Sequence, residues 1–234
     1  MRELIRLHEL NKIYPVGGED FYALKQVGLT IHEGEFSGLV GPSGSGKTTL
    51  LNIAGALDQP TSGNVFMHDK QISGIKATEA ARLRLNNFGF IFQTYNLLNV
   101  YSVYENVELP LILLGWSDSQ KKKAISEALE WVGLTDKIKS RPGKLSGGQC
   151  QRVAIARAMV KHPKLVLADE PTANLDTENS HNILGTMARI NRETGTTFLF
   201  STHDQKVIDY LSRVIQLKDG QITGDRQQAP KRQE

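Results

Sequence analysis

Three short stretches combine residue types and spacings suited to chemistry on phosphate. GPSGSGKT, Gly41 to Thr48, matches G-x-x-x-x-G-K-[ST] at every fixed position. Glycine allows successive backbone N–H groups to turn inward around phosphate oxygens. Gly41, Pro42, Ser43, Gly44, Ser45 and Gly46 are therefore candidates for the cradle and Lys47 for the β- and γ-phosphates. The Thr48 hydroxyl is a candidate Mg²⁺ ligand, with Thr49 beside it in the binding set. The second stretch, LVLADE, ends an apolar run in two acids. Asp169 is placed for the Mg²⁺ shell, directly or through water. Glu170 projects differently from its neighbour at the strand's end and is a candidate general base for an attacking water. Alone, such a pair reads as solvated acids at a helix cap; behind a phosphate loop it reads as hydrolytic. The third stretch, LSGGQCQR, opens into CQRVAIARAMV, an apolar helical run. That is a helix N-terminus prepared for an anion, and it lies far along the chain from the first anion site.

Holding these residues requires strands that end in loops and helices that begin at them. FSGLV precedes the phosphate loop and KTTLLNIAGAL follows it as a helix. LVLAD is a continuous apolar run, as expected of a strand covered on both faces. NVFMH, FGFIFQ and TFLFST read as further strands, and RVIQLKDGQIT as a hairpin turning at Asp219–Gly220. Helices are expected over SDSQKKKAISEALEWVGL, capped by Ser117 or Asp118, over 177–193, and after His203. LIRLHEL and YALKQVGLTI alternate as strands around a loop over 15–18. The chain is expected to form a single α/β domain over 1–234 with a mostly parallel sheet. The N-terminal strands form a separate antiparallel edge, residues from about 94 to 161 a helical subdomain inserted between strands, and 225–234 a frayed polar tail.

With 234 residues, 39% apolar and 23% charged, the composition is that of a globular protein. A net charge of +3 without a long Lys/Arg run fits an ordinary solvated surface, and no nucleic-acid partner is expected. The single cysteine, Cys150, excludes an intrachain disulfide. The N-terminus MRELIRLHELNK lacks a signal-type apolar core, and the most apolar window, LPLILLGW, is too short to span a bilayer. Work at a membrane would need another chain to hold this one there. His8, His32, His68, His162 and His181 form no ligand-spaced cluster.

With the loop, the acids and LSGGQ together, the sequence resembles the nucleotide-binding subunit of ABC transporters, over roughly residues 4–223. The resemblance implies a phosphate-loop ATPase using ATP and Mg²⁺, and a head-to-tail dimer of two copies. Ser146, Gly147, Gly148 and Gln149 are the signature motif, which would face the γ-phosphate held by Lys47 of the other copy. Gln93, ending FGFIFQ, resembles the glutamine that touches Mg²⁺ and the lytic water. Asp176 in ANLD resembles the loop that crosses the dimer interface. His203 in FSTHD resembles the histidine that contacts the γ-phosphate and organises Glu170. Tyr14 resembles the aromatic that stacks on adenine, with Phe21 and Tyr22 as competitors. Cys150 departs from the glutamine common in the family, either as an inert buried residue or as a reactive thiol at a helix start. Partners would be integral-membrane permeases, at the cytoplasmic face of a bacterial-type inner membrane. GALDQPTSG, FGFIFQTYNLL, ENVELPL and LADEPTANLD are most similar to the branch of lipoprotein-releasing and macrolide or peptide exporting ATPases. The related cell-division ATPase that regulates wall hydrolases is the alternative. A small-molecule kinase shares the phosphate loop but would lack LSGGQ. The segment after Gln93, FQTYNLLNVYSVYENVELPL to Leu111, is either the permease docking cleft or packing.

Overall fold

The structure is a computed structural model describing residues 2–231. In chain order its elements are β1 (Glu3–Val16), β2 (Glu19–His32), β3 (Phe36–Val40), α1 (Lys47–Ala54), β4 (Ser62–Met67), β5 (Lys70–Gln71), α2 (Ala77–Asn87), β6 (Phe88–Ile91) and α3 (Val103–Leu113). They continue with α4 (Asp118–Trp131), α5 (Gly147–Met159), β7 (Leu165–Asp169), α6 (Thr177–Thr194), β8 (Thr197–Thr202), α7 (Gln205–Ile208), β9 (Arg213–Lys218) and β10 (Gln221–Gln227).

Two sheets result. One is six-stranded in the order β10-β9-β3-β8-β7-β6, parallel from β9 to β6 with β10 as an antiparallel edge. The other is four-stranded and antiparallel, β2-β1-β4-β5. The parallel strands read as unbroken apolar runs because both faces are covered. Val166, Ala168, Phe198 and Phe200 join a core formed with α3 to α6. Their neighbours Leu165, Leu167 and Leu199 point the other way, into a core with α1 and the antiparallel sheet. The α1 helix is thus clamped between the two sheets by Leu50, Leu51 and Ile53, each at most 1% exposed. This immobilises the helix that carries Lys47 and Thr48.

A buried arginine ties the sheets together. Arg213, on β9, donates through Nη1 to Thr30 O of β2 at 2.8 Å and to both Glu35 oxygens at 3.0 Å. Its Nε and Nη2 reach Asp225 at 2.8 and 2.6 Å. The α3, α4 and α5 helices, which fall between β6 and β7 in sequence, all start from a serine capping box: Ser102 with Glu105, Ser117 with Gln120, Ser146 with Gln149. Each such cap is worth about 1 kcal/mol.

Several boundaries differ from expectation. The first hairpin is longer than the alternating runs, and its turn is Gly17–Gly18 alone, so Pro15 and Val16 belong to β1. Pro15 is tolerated because β4 pairs with β1 no further than Asn11, leaving that edge free. Ser117, not Asp118, caps α4. The helix after His203 is a single turn. The tail is not frayed through residue 231. Asp225 to Gln227 complete β10, the Gln228 amide donates to Ile208 O and Leu211 O, and Lys231 N donates to Asp209 O at 2.8 Å. Residues 232–234 lie outside the described residues.

Candidate functional site

The phosphate loop connects the end of β3 to α1, and its glycines answer two steric demands. Gly46 has φ 100° and an added Cβ would lie 2.5 Å from Ala23 O; at Gly41 a Cβ would collide with Leu217 O. The loop is therefore pressed against both sheets, and only a bare backbone fits. Lys47 turns its ammonium back into the hollow, donating to Gly41 O and Pro42 O at 2.8 Å each. Burial pushes its pKa below the ordinary lysine value, against the opposing pull of Glu170 and Asp169. A buried cation whose hydrogen bonds among the described residues go to two carbonyl oxygens is a site that an anion would complete. The Ser45 hydroxyl, within the loop, is buried and forms no hydrogen bond among the described residues.

Beside the loop, β7 delivers its acids to different partners. The Thr48 hydroxyl donates to Asp169, 3.1 Å from each oxygen. These hard oxygen donors suit Mg²⁺, which binds through one or two protein ligands and completes its shell with phosphate and water. Glu170 leaves the strand in the left-handed region, φ 45°, with its N–H held by Ser201 O at 2.9 Å. That reversal swings its carboxylate toward β8, where Oε1 lies 2.7 Å from His203 Nδ1. With the proton on Nδ1 the ring donates, leaving Oε2 turned to a long contact with Thr202 at 3.5 Å. Side-chain exposure is 18% for Glu170 and 64% for His203.

All of this lines one cavity of about 460 Å³. Ser43, Gly44, Gly46, Lys47, Thr48 and Thr49 form one wall. Asp169, Glu170, His203 and Gln93 also line the cavity. Gln93 sits two residues beyond the end of β6, its carbonyl accepting from the Asn174 amide at 2.9 Å. Tyr14 closes the far end together with Phe21, its cross-strand partner. Of the two competing aromatics, Phe21 shares the cavity with Tyr14, whereas Tyr22 pairs with Ile13 and is not in the lining.

The signature residues are not in this cavity. Ser146 caps α5, its hydroxyl accepting from Gln149 N at 3.3 Å while the Gln149 side chain accepts from Ser146 N at 2.9 Å. Ser146 and Gly147 are exposed, and Gly148 is packed so closely that a Cβ would lie 2.7 Å from the Asn179 side chain. Asp176 is likewise apart, capping α6 through Asn179 N at 2.8 Å. One chain therefore holds a phosphate cavity and, elsewhere on its surface, a serine-capped helix N-terminus that exposes Ser146 and Gly147. Ala23, Ala173 and Asn174 also belong to the site and carry no signal in the sequence beyond their neighbours. Cys150 is buried, its thiol pushed up by burial, with Sγ donating to Pro142 O at 3.6 Å. Of its two readings, the inert one fits.

This geometry has close counterparts. The ABC transporter family model matches residues 24–173. The lipoprotein-releasing system ATP-binding protein LolD of Idiomarina loihiensis is 44% identical, across 93% of this chain and 95% of that protein. The macrolide export ATP-binding/permease protein MacB of Burkholderia thailandensis is 42% identical across 95% of this chain, which corresponds to 34% of that longer protein. Among solved structures, the dimeric post-hydrolysis cassette MJ0796 of Methanocaldococcus jannaschii, bound to ADP and Pi, superposes with a TM-score of 0.89 at 40% identity, covering 96% of this chain and 98% of that one. A phosphate loop, a split acid pair and a detached signature helix on this fold thus have one explanation: the chain belongs to the ABC transporter family, as its ATP-binding, ATP-hydrolysing subunit.

Proposed function

We propose that the cavity binds ATP with Mg²⁺ and hydrolyses it with Glu170 as general base. The observation that carries this reading is the Glu170–His203 contact, which aims a carboxylate into the cavity that holds Lys47. The loop N–H groups and Lys47 bind the β- and γ-phosphates, Tyr14 stacks on adenine, and Gln93 orients the attacking water. Thr48 and Asp169 would hold Mg²⁺, which offsets phosphate charge when bound. As water adds to the γ-phosphorus its proton passes to Glu170, which His203 keeps in position, and ADP leaves.

The exposed signature is the reason for a second copy. In a head-to-tail dimer, Ser146, Gly147, Gly148 and Gln149 of one copy face the γ-phosphate held by Lys47 of the other, with Asp176 at the crossing. ATP then bridges both chains, and its hydrolysis separates them, a ligand that favours one state of a two-state assembly. The dimeric MJ0796 cassette supports this arrangement. The test is kinetic. Glu170→Gln is expected to keep ATP affinity, lower phosphate release at least 100-fold and accumulate an ATP-bound dimer on size exclusion. Lys47→Ala is expected to lose ATP binding itself. Near-normal turnover of Glu170→Gln would remove Glu170 as the base.

The motor serves integral-membrane permeases at the cytoplasmic face of the membrane, and by likeness to LolD and MacB the process is lipoprotein release or export. We take residues from about 94 to 161, with α3, α4 and α5, as the helical subdomain, and the segment after Gln93 as the part that docks the permease. A groove of about 270 Å³ lies at the subdomain's border with the parallel sheet, lined by Phe90 of β6, Phe92, Pro110 of α3, Arg157 near the end of α5 and Lys161. Val100 and Leu113, 73% and 65% exposed, belong to the same helical region. No described helix is long and apolar enough to cross a membrane. Capture of tagged Glu170→Gln from native membranes with ATP, followed by mass spectrometry, tests the process. A permease with lipoprotein or efflux components supports it; one with wall-hydrolase regulators replaces it by the cell-division reading.

A further inference from the structure

Tyr14 is held from two sides by residues outside the cavity. Its hydroxyl donates to Asp58 Oδ2 at 2.9 Å. The other oxygen of the same carboxylate, Oδ1, accepts from Lys12 Nζ at 2.8 Å and from Gln59 N at 2.7 Å. Lys12 donates also to Gln59 O at 2.8 Å, and its ammonium lies 4.9 Å from the centroid of the Tyr14 ring. Lys12 and Tyr14 are two residues apart on β1 and so leave the same face of the strand. Tyr14 lines the cavity while Lys12 and Asp58 do not. The cation therefore attends the ring from outside the cavity.

The anchor for this arrangement is the helix of the phosphate loop. Leu57 N and Asp58 N both donate to Asn52 O, in the last turn of α1. The tyrosine hydroxyl also interacts with Thr49, in the first turn of the same helix. A ring carried by β1 is thus tied at its tip to the element that presents Lys47 and Thr48. A partly exposed Lys–Asp pair contributes little stability by itself. What this one does is remove the rotational freedom of an aromatic side chain before a ligand arrives, which lowers the entropic cost of binding.

We propose that Asp58 and Lys12 are positioning residues for base recognition, holding the Tyr14 ring at a set spacing from the phosphate loop so that a purine nucleotide meets a preformed stack. This rests on the reading of Tyr14 as the adenine-stacking residue. The carboxylate is the hub: one oxygen fixes the phenol, the other fixes the cation on the ring.

Calorimetric titration of the full chain with MgATP, and with inorganic tripolyphosphate and Mg²⁺ as a base-free probe, tests the idea. Tyr14→Phe deletes the phenol's bond to the carboxylate, Asp58→Asn removes the charge that both the phenol and Lys12 bind, and both keep the ring. Each is expected to weaken MgATP binding about fivefold and leave tripolyphosphate unchanged. Their double variant is expected to be no weaker than Asp58→Asn alone, because the contact that Tyr14→Phe removes depends on the same carboxylate. Lys12→Met, which keeps the chain length and removes the charge, is expected to behave like them. Wild-type ATP affinity in Asp58→Asn beside a loss in Tyr14→Ala would overturn the clamp and leave the stacking reading standing. Unchanged affinity in Tyr14→Ala would overturn both. Equal weakening of both probes would show that Asp58 acts by supporting α1 and would also overturn the clamp.

Discussion

Glu170 occupies the left-handed region, which costs a side chain with a Cβ about 1–2 kcal/mol. The strain has a use. A residue continuing the strand would point to the face opposite Asp169, whereas the left-handed turn brings Glu170 to His203 while Asp169 meets Thr48. We expect Glu170→Gly to be more stable than Glu170→Ala by about 1 kcal/mol in urea unfolding, although both lack the base. Equal stabilities would mean that the backbone relaxes there without penalty. At this scale the sequence was informative wherever a residue's chemistry and its neighbours coincide. The loop, Asp169 and Glu170 could be named because an apolar run delivers them. Asp58 and Asn174 could not, since each acts through a contact with a distant residue, Tyr14 in one case and the Gln93 carbonyl in the other.

The α5 helix shows how an element can serve folding and catalysis through one residue. Ser146 is both the cap of α5 and the exposed face of the signature. Ser146→Ala is expected to cost about 1 kcal/mol of stability and to slow hydrolysis. Ser146→Asp separates the roles: aspartate caps as well as serine, so thermal stability is retained. Its charge, however, repels the phosphate of the other copy, so ATP-dependent dimers are lost while nucleotide affinity of the single chain is nearly unchanged. A large loss of single-chain affinity in either variant would sink the cross-interface reading. Elements were legible where the apolar pattern was strong, as unbroken runs in β7 and β8 and as helical periodicity in α4. The α2 helix was missed because it buries only Ala80 and starts from Lys76 with no side-chain cap. The α3 helix was hidden by Pro110 inside it, although Ser102 and Glu105 spell out its capping box.

Across the whole molecule, Arg213 is the staple between the sheets. Arg213→Met leaves Glu35, 8% exposed, with the His32 ring at 2.8 Å in place of a permanent cation, and is expected to destabilise by about 3 kcal/mol in urea unfolding. The hydrogen bonds from Arg213 hold the Asp225 carboxyl below its ordinary range. The folded state therefore binds this proton less readily than the unfolded one. Its contribution is complete above the ordinary carboxylate value, about 3.9, and fades as pH falls through the lower folded value. Arg213→Met should flatten that part of the acid-unfolding profile, and an unchanged profile would place the acid sensitivity elsewhere. The tail was misjudged for the same reason: its composition is polar, yet Asp225 and Gln228 find partners across the chain that no local pattern announces. The strand order also has a consequence for biosynthesis. The β3 strand, from which the phosphate loop hangs, pairs only with β8 and β9, Phe36 against Phe198 and Ser37 against Arg213. At ordinary translation rates those partners emerge from the ribosome about 10–30 s later. Until then the loop has no sheet to stretch it, and nascent or truncated chains cannot capture nucleotide. Emergence of β8 and β9 thus becomes the condition for joining an ATP-driven assembly, so half-made motors are excluded from it without a separate checkpoint.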